Sequence, residues 1–219
     1  MNDAERIEKT IAFVKEELKG AEGGHDWFHI ERVFRNTLLI ARGEKVDLRI
    51  VSLAALLHDI ADPKFHNGDE SIGPNKAGAF LSTLDIPKKD RTHILNIIRY
   101  MSFKNSLSGK KAPFDSRELH VVRDADRLDA IGAIGIARAF NYGGHKGRKL
   151  YDPEIPPRLN MTKAEYKKSQ GPTINHFYEK LLLLKDSMHT QTAKSLAEDR
   201  HGYMLAFLER FYAEWNGKA

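Results

Sequence analysis

The pair His58-Asp59 stands at the C-terminal end of the most apolar helical run in the chain, and burying an imidazole and a carboxylate there is costly unless they are paired, protonated or bound to a metal. Taken alone, such a pair is an ordinary hydrogen-bonded core couple or a helix-end feature, and ten histidines are scattered along the sequence. Two further groups of ligand-type residues change that reading. His25 and His29 stand four residues apart, on one face of a helix. Asp124, Asp126 and Asp129 crowd into about a turn and a half of another strongly apolar helix. Three apolar helices thus present ligand-type side chains, and a metal at their meeting point would relieve all of them together. The chain has no cysteine, so a metal must be held by nitrogen and oxygen; disulfides and thiol nucleophiles are excluded.

The elements that must position these groups are helical, because apolar residues recur at three and four and strand-like alternation is nearly absent. The predicted fold class is all-α, a single-domain helical bundle. Ile7, Ile11, Val14 and Leu18 form one face of a first helix, with Gly20 as its stop. Asp26 caps a second, burying Trp27, Ile30, Val33, Phe34, Leu38 and Ala41 and ending near Gly43. Asp47 caps a third, Leu48 to Ile60, apolar around most of its circumference and therefore central. Pro63 stops it, and Asp62 to Pro74 reads as a polar loop. Helices are predicted at about 75–84 and 88–101, with a loop from Ser102 to Pro113. Ser116 and Glu118 open one long helix whose candidates for burial are Leu119, Val122, Leu128, Ile131, Ile134 and Ile136. Two closing helices are expected at about 173–188 and 192–215. Residues 1–219 are read as one domain, with 20–140 carrying the metal-site core and 141–172 a long loop or lid.

Composition narrows the function classes. A hydrophobic fraction of 41% and a charged fraction of 30% describe a globular protein, and no apolar stretch approaches the roughly 18 residues of a membrane span. The acidic start of the chain has no apolar centre for an export signal, so the expected compartment is the cytoplasm. A formal charge of +5 suits a small polyanion or nucleic acid without choosing between them.

The ordered set of motifs resembles the HD-domain superfamily of metal-dependent phosphohydrolases, and within it the small bacterial members of the YedJ and YpgQ type. Matching stretches are His25 through Val33, Leu56 through Lys64, Ile98 through Lys104 and Asp124 through Arg138, followed by His176 to Leu181 and Arg200 to Trp215. The resemblance implies the HD-type bundle and one divalent cation held by His29, His58, Asp59 and Asp126. Two imidazoles and two carboxylates suit Mn²⁺ or Mg²⁺ best, with Fe²⁺, Ni²⁺, Co²⁺ and Zn²⁺ as alternatives. Asp124 and Asp129 are read as supporting or capping groups, with Asp129 the substitute should Asp126 not serve.

The reaction implied is hydrolysis of a phosphoanhydride or phosphoester of a nucleotide by water that the cation activates, with a (deoxy)nucleoside triphosphate as first substrate guess. Asp62, three residues after Asp59 and matching an acidic position in related hydrolases, is read as general base or water-orienting group, against a plain helix-end Asp accepting loop amides. Lys64 and Arg32 lie near the metal by spacing and are assigned to substrate phosphates. Lys104 and Arg138, and more widely Arg148 and Lys180, are added from the matching blocks. His25 either donates to the phosphate or leaving group or supports the helix start. The expected partner is a small phosphorylated molecule, with no membrane and no stable nucleic-acid partner; a homodimer is compatible with the sequence.

Rival readings are a zinc peptidase, a two-metal variant of the same superfamily, and a catalytically idle module binding nucleotide or nucleic acid. In the first, Asp26 is one methylene short of the required Glu and no third ligand is recognisable. The second would recruit His66, His93 or His120. The third lacks any zinc-finger or RNA-recognition signature.

Overall fold

The computed structural model describes residues 1–21, 26–61, 69, 71–101, 113–162, 165 and 169–219. Among these there are nine α-helices, one 3-10 helix and no strand, in agreement with the all-α expectation. The chain divides into two compact units, Met1–Asp126 and Arg127–Ala219.

In the first unit, α1 (Asp3–Glu17) begins at a capping box: Asn2 accepts from the Glu5 amide while the Glu5 carboxylate accepts from the Asn2 amide. Helix α2 (Trp27–Ala41) is capped by Asp26, and α3 (Leu48–Leu57) by Asp47, whose carboxylate accepts from the amides of Arg49 and Ile50. Every residue of α3 from Ile50 to Leu57 is buried, since α1, α2 and α5 (Lys88–Tyr100) pack around it. Each fully buried leucine there contributes about 1.5–3 kcal/mol. This helix therefore holds its C-terminal end in a fixed place.

Two boundaries differ from the sequence expectation. Helix α3 ends at Leu57 rather than Ile60, so His58 is its C-cap. Helix α4 (Ile72–Thr83) starts before position 75 and takes Gly73 and Pro74 into its first turn. Proline is tolerated there because its missing amide hydrogen would have no helical acceptor.

The long helix expected from Ser116 is two helices. Helix α6 spans Arg117–Asp129, the boundary between the units falling after Asp126, and α7 spans Gly132–His145. The break is a backbone matter: Gly132 takes φ +76°, and a Cβ on Gly135 would lie 2.3 Å from the Ala130 carbonyl oxygen. Its consequence is that Ile134, expected to be buried, is exposed. Residues 141–145, expected in the long loop, complete α7.

Within the second unit, α8 (Thr173–Glu179) runs into the 3-10 helix Leu181–Ser187, and α9 (Gln191–Trp215) starts at the Thr190 cap. Phe140, Phe177 and Phe207 meet with ring centroids 5.9 to 6.0 Å apart and build its core. Arg200 of α9 donates to the Leu128 carbonyl at the end of α6.

Candidate metal centre

Helix α2 delivers His29 in its first turn. The Asp26 carboxylate that caps the helix accepts from the His29 amide itself, at 2.9 Å, so the cap also fixes the residue that carries the imidazole. The residue is 3% exposed. Helix α3 delivers His58 as its C-cap, half-buried, with Nδ1 2.8 Å from the Ala55 carbonyl oxygen. A carbonyl only accepts, so Nδ1 is the donor in this contact, and Nε2 is the nitrogen it leaves for a cation. Helix α6 delivers Asp126.

These three side chains converge. His29, His58 and Asp126 each offer a ligand atom, and these atoms lie within 4.8 Å of one another. His29 Nε2 stands 3.6 Å from Asp126 Oδ1, and the two imidazoles meet edge to face with centroids 5.5 Å apart. A cation with bonds of about 2.1 Å sets neighbouring donors about 3.0 Å and opposite donors about 4.2 Å apart, so the 3.6 Å pair fits around one ion. Two imidazole nitrogens and a carboxylate form a donor set for a divalent ion of intermediate hardness. Asp126 keeps 43% of its side chain exposed, so the cluster is approachable from solvent on its side.

Support for the cluster comes partly from residues with no role in the sequence reading. Asn36, buried on the same stripe of α2 as His29, donates to the Ala125 carbonyl at 3.3 Å and ties α2 to the residue before Asp126. A polar residue on an apolar stripe was the available signal. Arg123, half-buried, donates to the Tyr100 carbonyl, joining α6 to the end of α5. Burial holds its guanidinium below the usual arginine pKa, with the charges of Asp115 and Asp124 opposing that shift. Asp124 is fully buried on α6.

The other predicted residues fall variously. Asp59 is half-buried beside His58 and is not a member of the three-residue group. Arg32 is half-buried on α2. Arg138 lies in the second unit, where its guanidinium pairs with Asp129, a carboxylate 1% exposed. His25, Asp62, Lys64 and Lys104 lie outside the described residues, as does His66. His93 Nε2 lies 3.0 Å from Ser116 Oγ and 3.5 Å from Glu118 Oε2, and His120 Nε2 lies 2.7 Å from Asp115 Oδ1. Both imidazoles therefore have partners of their own, and among the described residues neither joins His29, His58 and Asp126.

Residues 27–131 match the HD domain family, a span that contains every member of the cluster. The chain is 38% identical over 210 residues to the Bacillus subtilis protein YpgQ, covering 96% of this chain and 94% of that one. A solved HD-superfamily hydrolase from Bacillus thuringiensis is 46% identical, with a TM-score of 0.79 over 98% of this chain and 99% of that chain. The crystal structure of Bacillus subtilis YpgQ in complex with ADP superposes with a TM-score of 0.73 at 35% identity, over 98% of this chain and 97% of that chain. The match along nearly the full length of these relatives, together with the convergent imidazoles and carboxylate on this chain's all-helical frame, places this chain in the HD-domain superfamily of hydrolases.

Proposed function

We propose that the protein is a metal-dependent phosphohydrolase acting on a nucleotide, with a (deoxy)nucleoside triphosphate as the favoured substrate, in the cytoplasm. The observation that carries this reading is the convergence of His29, His58 and Asp126 from three helices onto one point. His29, His58 and Asp126 would hold a divalent cation, Mn²⁺ or Mg²⁺ by preference, with Asp59 completing the set from the turn after α3. Such a cation lowers the pKa of a bound water towards about 7 and neutralises charge on phosphoryl oxygens. The chain's own contribution is positional. Asp26 holds the backbone of His29 and the Ala55 carbonyl holds the His58 ring before any ligand arrives, and the exposed flank of Asp126 leaves room for a substrate. Asp62 is assigned to orienting the water and taking its proton, and Arg32, Lys64, Lys104 and His25 to phosphate contacts. A nucleotide is favoured over other phosphoesters because a relative was crystallised with ADP.

The test combines elemental analysis of the purified protein with a panel of phosphorylated metabolites and added Mn²⁺, beside His58→Ala and Asp59→Ala variants. Turnover is expected to depend on metal and to vanish in both variants while helix content stays. Full activity in either variant rejects the assigned centre. Nucleotide binding without any metal-dependent product rejects the hydrolase in favour of a sensor.

A further inference from the structure

The second unit contains a cavity of about 640 Å³ whose lining includes Tyr142, Lys146, Arg148, Lys149, Ile155 and Ser169. That volume lies in the range of small-molecule sites. None of these residues belongs to the candidate metal centre. Three of them are cations, and among the described residues the lining includes no acidic group.

The cations are held in place by the end of α7. Lys146 is its C-cap, Gly147 follows with φ +64°, the Gly147 amide donates to the Gly144 carbonyl and the Arg148 amide to the Gly143 carbonyl at 2.8 Å. This Schellman arrangement needs a left-handed residue at the glycine and sets Lys146 and Arg148 on the same side of the turn. Both reach one ring: Lys146 Nζ stands 5.7 Å and Arg148 Cζ 5.5 Å from the Tyr142 centroid. Arg148 is also fastened by a 2.7 Å bond from Nη2 to the Ser169 carbonyl.

Lys149 pairs with Asp152 at 2.7 Å, but among the described residues neither Lys146 nor Arg148 has an ion-pair partner. Two positive charges brought to one aromatic ring repel each other, and the cation–π contacts return only about 0.5–1 kcal/mol each at an exposed site. The neighbouring imidazole feels the same field: burial, then the charges of Lys180 and Arg148, push the His176 pKa down to about 4. A basic turn at a helix end is satisfied by the helix dipole alone. The shared placement of Lys146 and Arg148 at a half-open cavity and the fastening of Arg148 to Ser169 are what the dipole does not account for.

We propose that this cavity is an anion site that takes the diphosphate of a small phosphorylated molecule between Lys146 and Arg148, with Tyr142 and Ile155 as the apolar wall for its body. The site does not depend on the metal-centre reading, since its lining includes none of the residues that would hold the cation and it needs no cation.

The experiment is titration calorimetry of the full chain in EDTA with ADP, pyrophosphate and adenosine. ADP and pyrophosphate are expected to bind, and adenosine at least about tenfold more weakly, because the charge-assisted contacts supply the affinity. Lys146→Glu, on an exposed side chain, is expected to weaken ADP binding about tenfold or more at unchanged helix content. Arg148→Lys, which keeps the charge and loses the planar fork, is expected to weaken it less. His58→Ala is expected to bind ADP as the parent does. As an independent reading, the NMR titration midpoint of His176 is expected to rise from about 4 when pyrophosphate is bound. The proposal is overturned if Lys146→Glu binds as the parent does, or if Lys194→Glu on α9 weakens binding equally. It is also overturned if EDTA or His58→Ala removes binding, for then the anion belongs to the metal centre.

Discussion

Asp26 offers a quantitative test of how the helix start governs the candidate metal centre. Its carboxylate accepts from the His29 amide at 2.9 Å, so replacing it by alanine orphans an amide on the very residue that carries the buried imidazole. Loss of an N-cap costs about 1 kcal/mol, a factor of about five in the balance between a seated and a frayed first turn. Metal affinity should therefore fall by no more than about fivefold in Asp26→Ala, and the melting temperature by about 2–4 °C for a chain of this size. His29→Ala, by contrast, removes a donor outright and should abolish binding. Asn caps nearly as well as Asp, so Asp26→Asn should recover most of both losses. The assays are competition of Mn²⁺ against a chelating indicator and thermal unfolding by circular dichroism. The reasoning is refuted if Asn performs no better than Ala, which would make the charge and not the cap the active feature. A hundredfold loss of affinity in Asp26→Ala would refute it too, since a cap cannot supply so much.

Two further outcomes follow from the second unit. Asp129→Asn removes the buried charge that faces Arg138 and should cost about 3 kcal/mol in denaturant unfolding, the low end for a broken buried pair because Arg138 keeps 30% of its side chain in water; a cost under about 1 kcal/mol would show the charge of the pair to be unimportant. His176, with its pKa lowered from 6.5 to about 4, binds its proton more readily in the unfolded chain. Its contribution is full above about pH 6.5 and is lost as the pH falls towards 4, by at most about 3 kcal/mol. His176→Gln should flatten the stability profile across that window, and an unchanged profile would count against the assignment.

Much of this was legible in the sequence where local chemistry decides. The caps Asp26 and Asp47, the all-round apolar α3 and the stripe of α2 follow from residue type and period, and they place His29 and His58. Resemblance to a motif singles out Asp126 among three nearby aspartates, and among the described residues its carboxylate oxygen is the one grouped with the two imidazoles. What stayed hidden depends on single backbone angles or on distant partners. An uninterrupted helix would set residues 129 and 138 about 13–14 Å apart along its axis. The left-handed turn at Gly132 instead interrupts the helix, and Arg138 meets Asp129, a pairing the expected single helix could not contain. Asn36 was missed because its value lies in a carbonyl 89 positions away.

The two imidazoles of the cluster are anchored unequally. His58 closes a helix sealed on every side, so it can leave its place only when the surrounding core opens as a whole. His29 belongs to an opening turn, the part of a helix that loosens first. Local opening of α2 would accordingly take His29 out of the cluster while His58 stays in place, before the first unit unfolds.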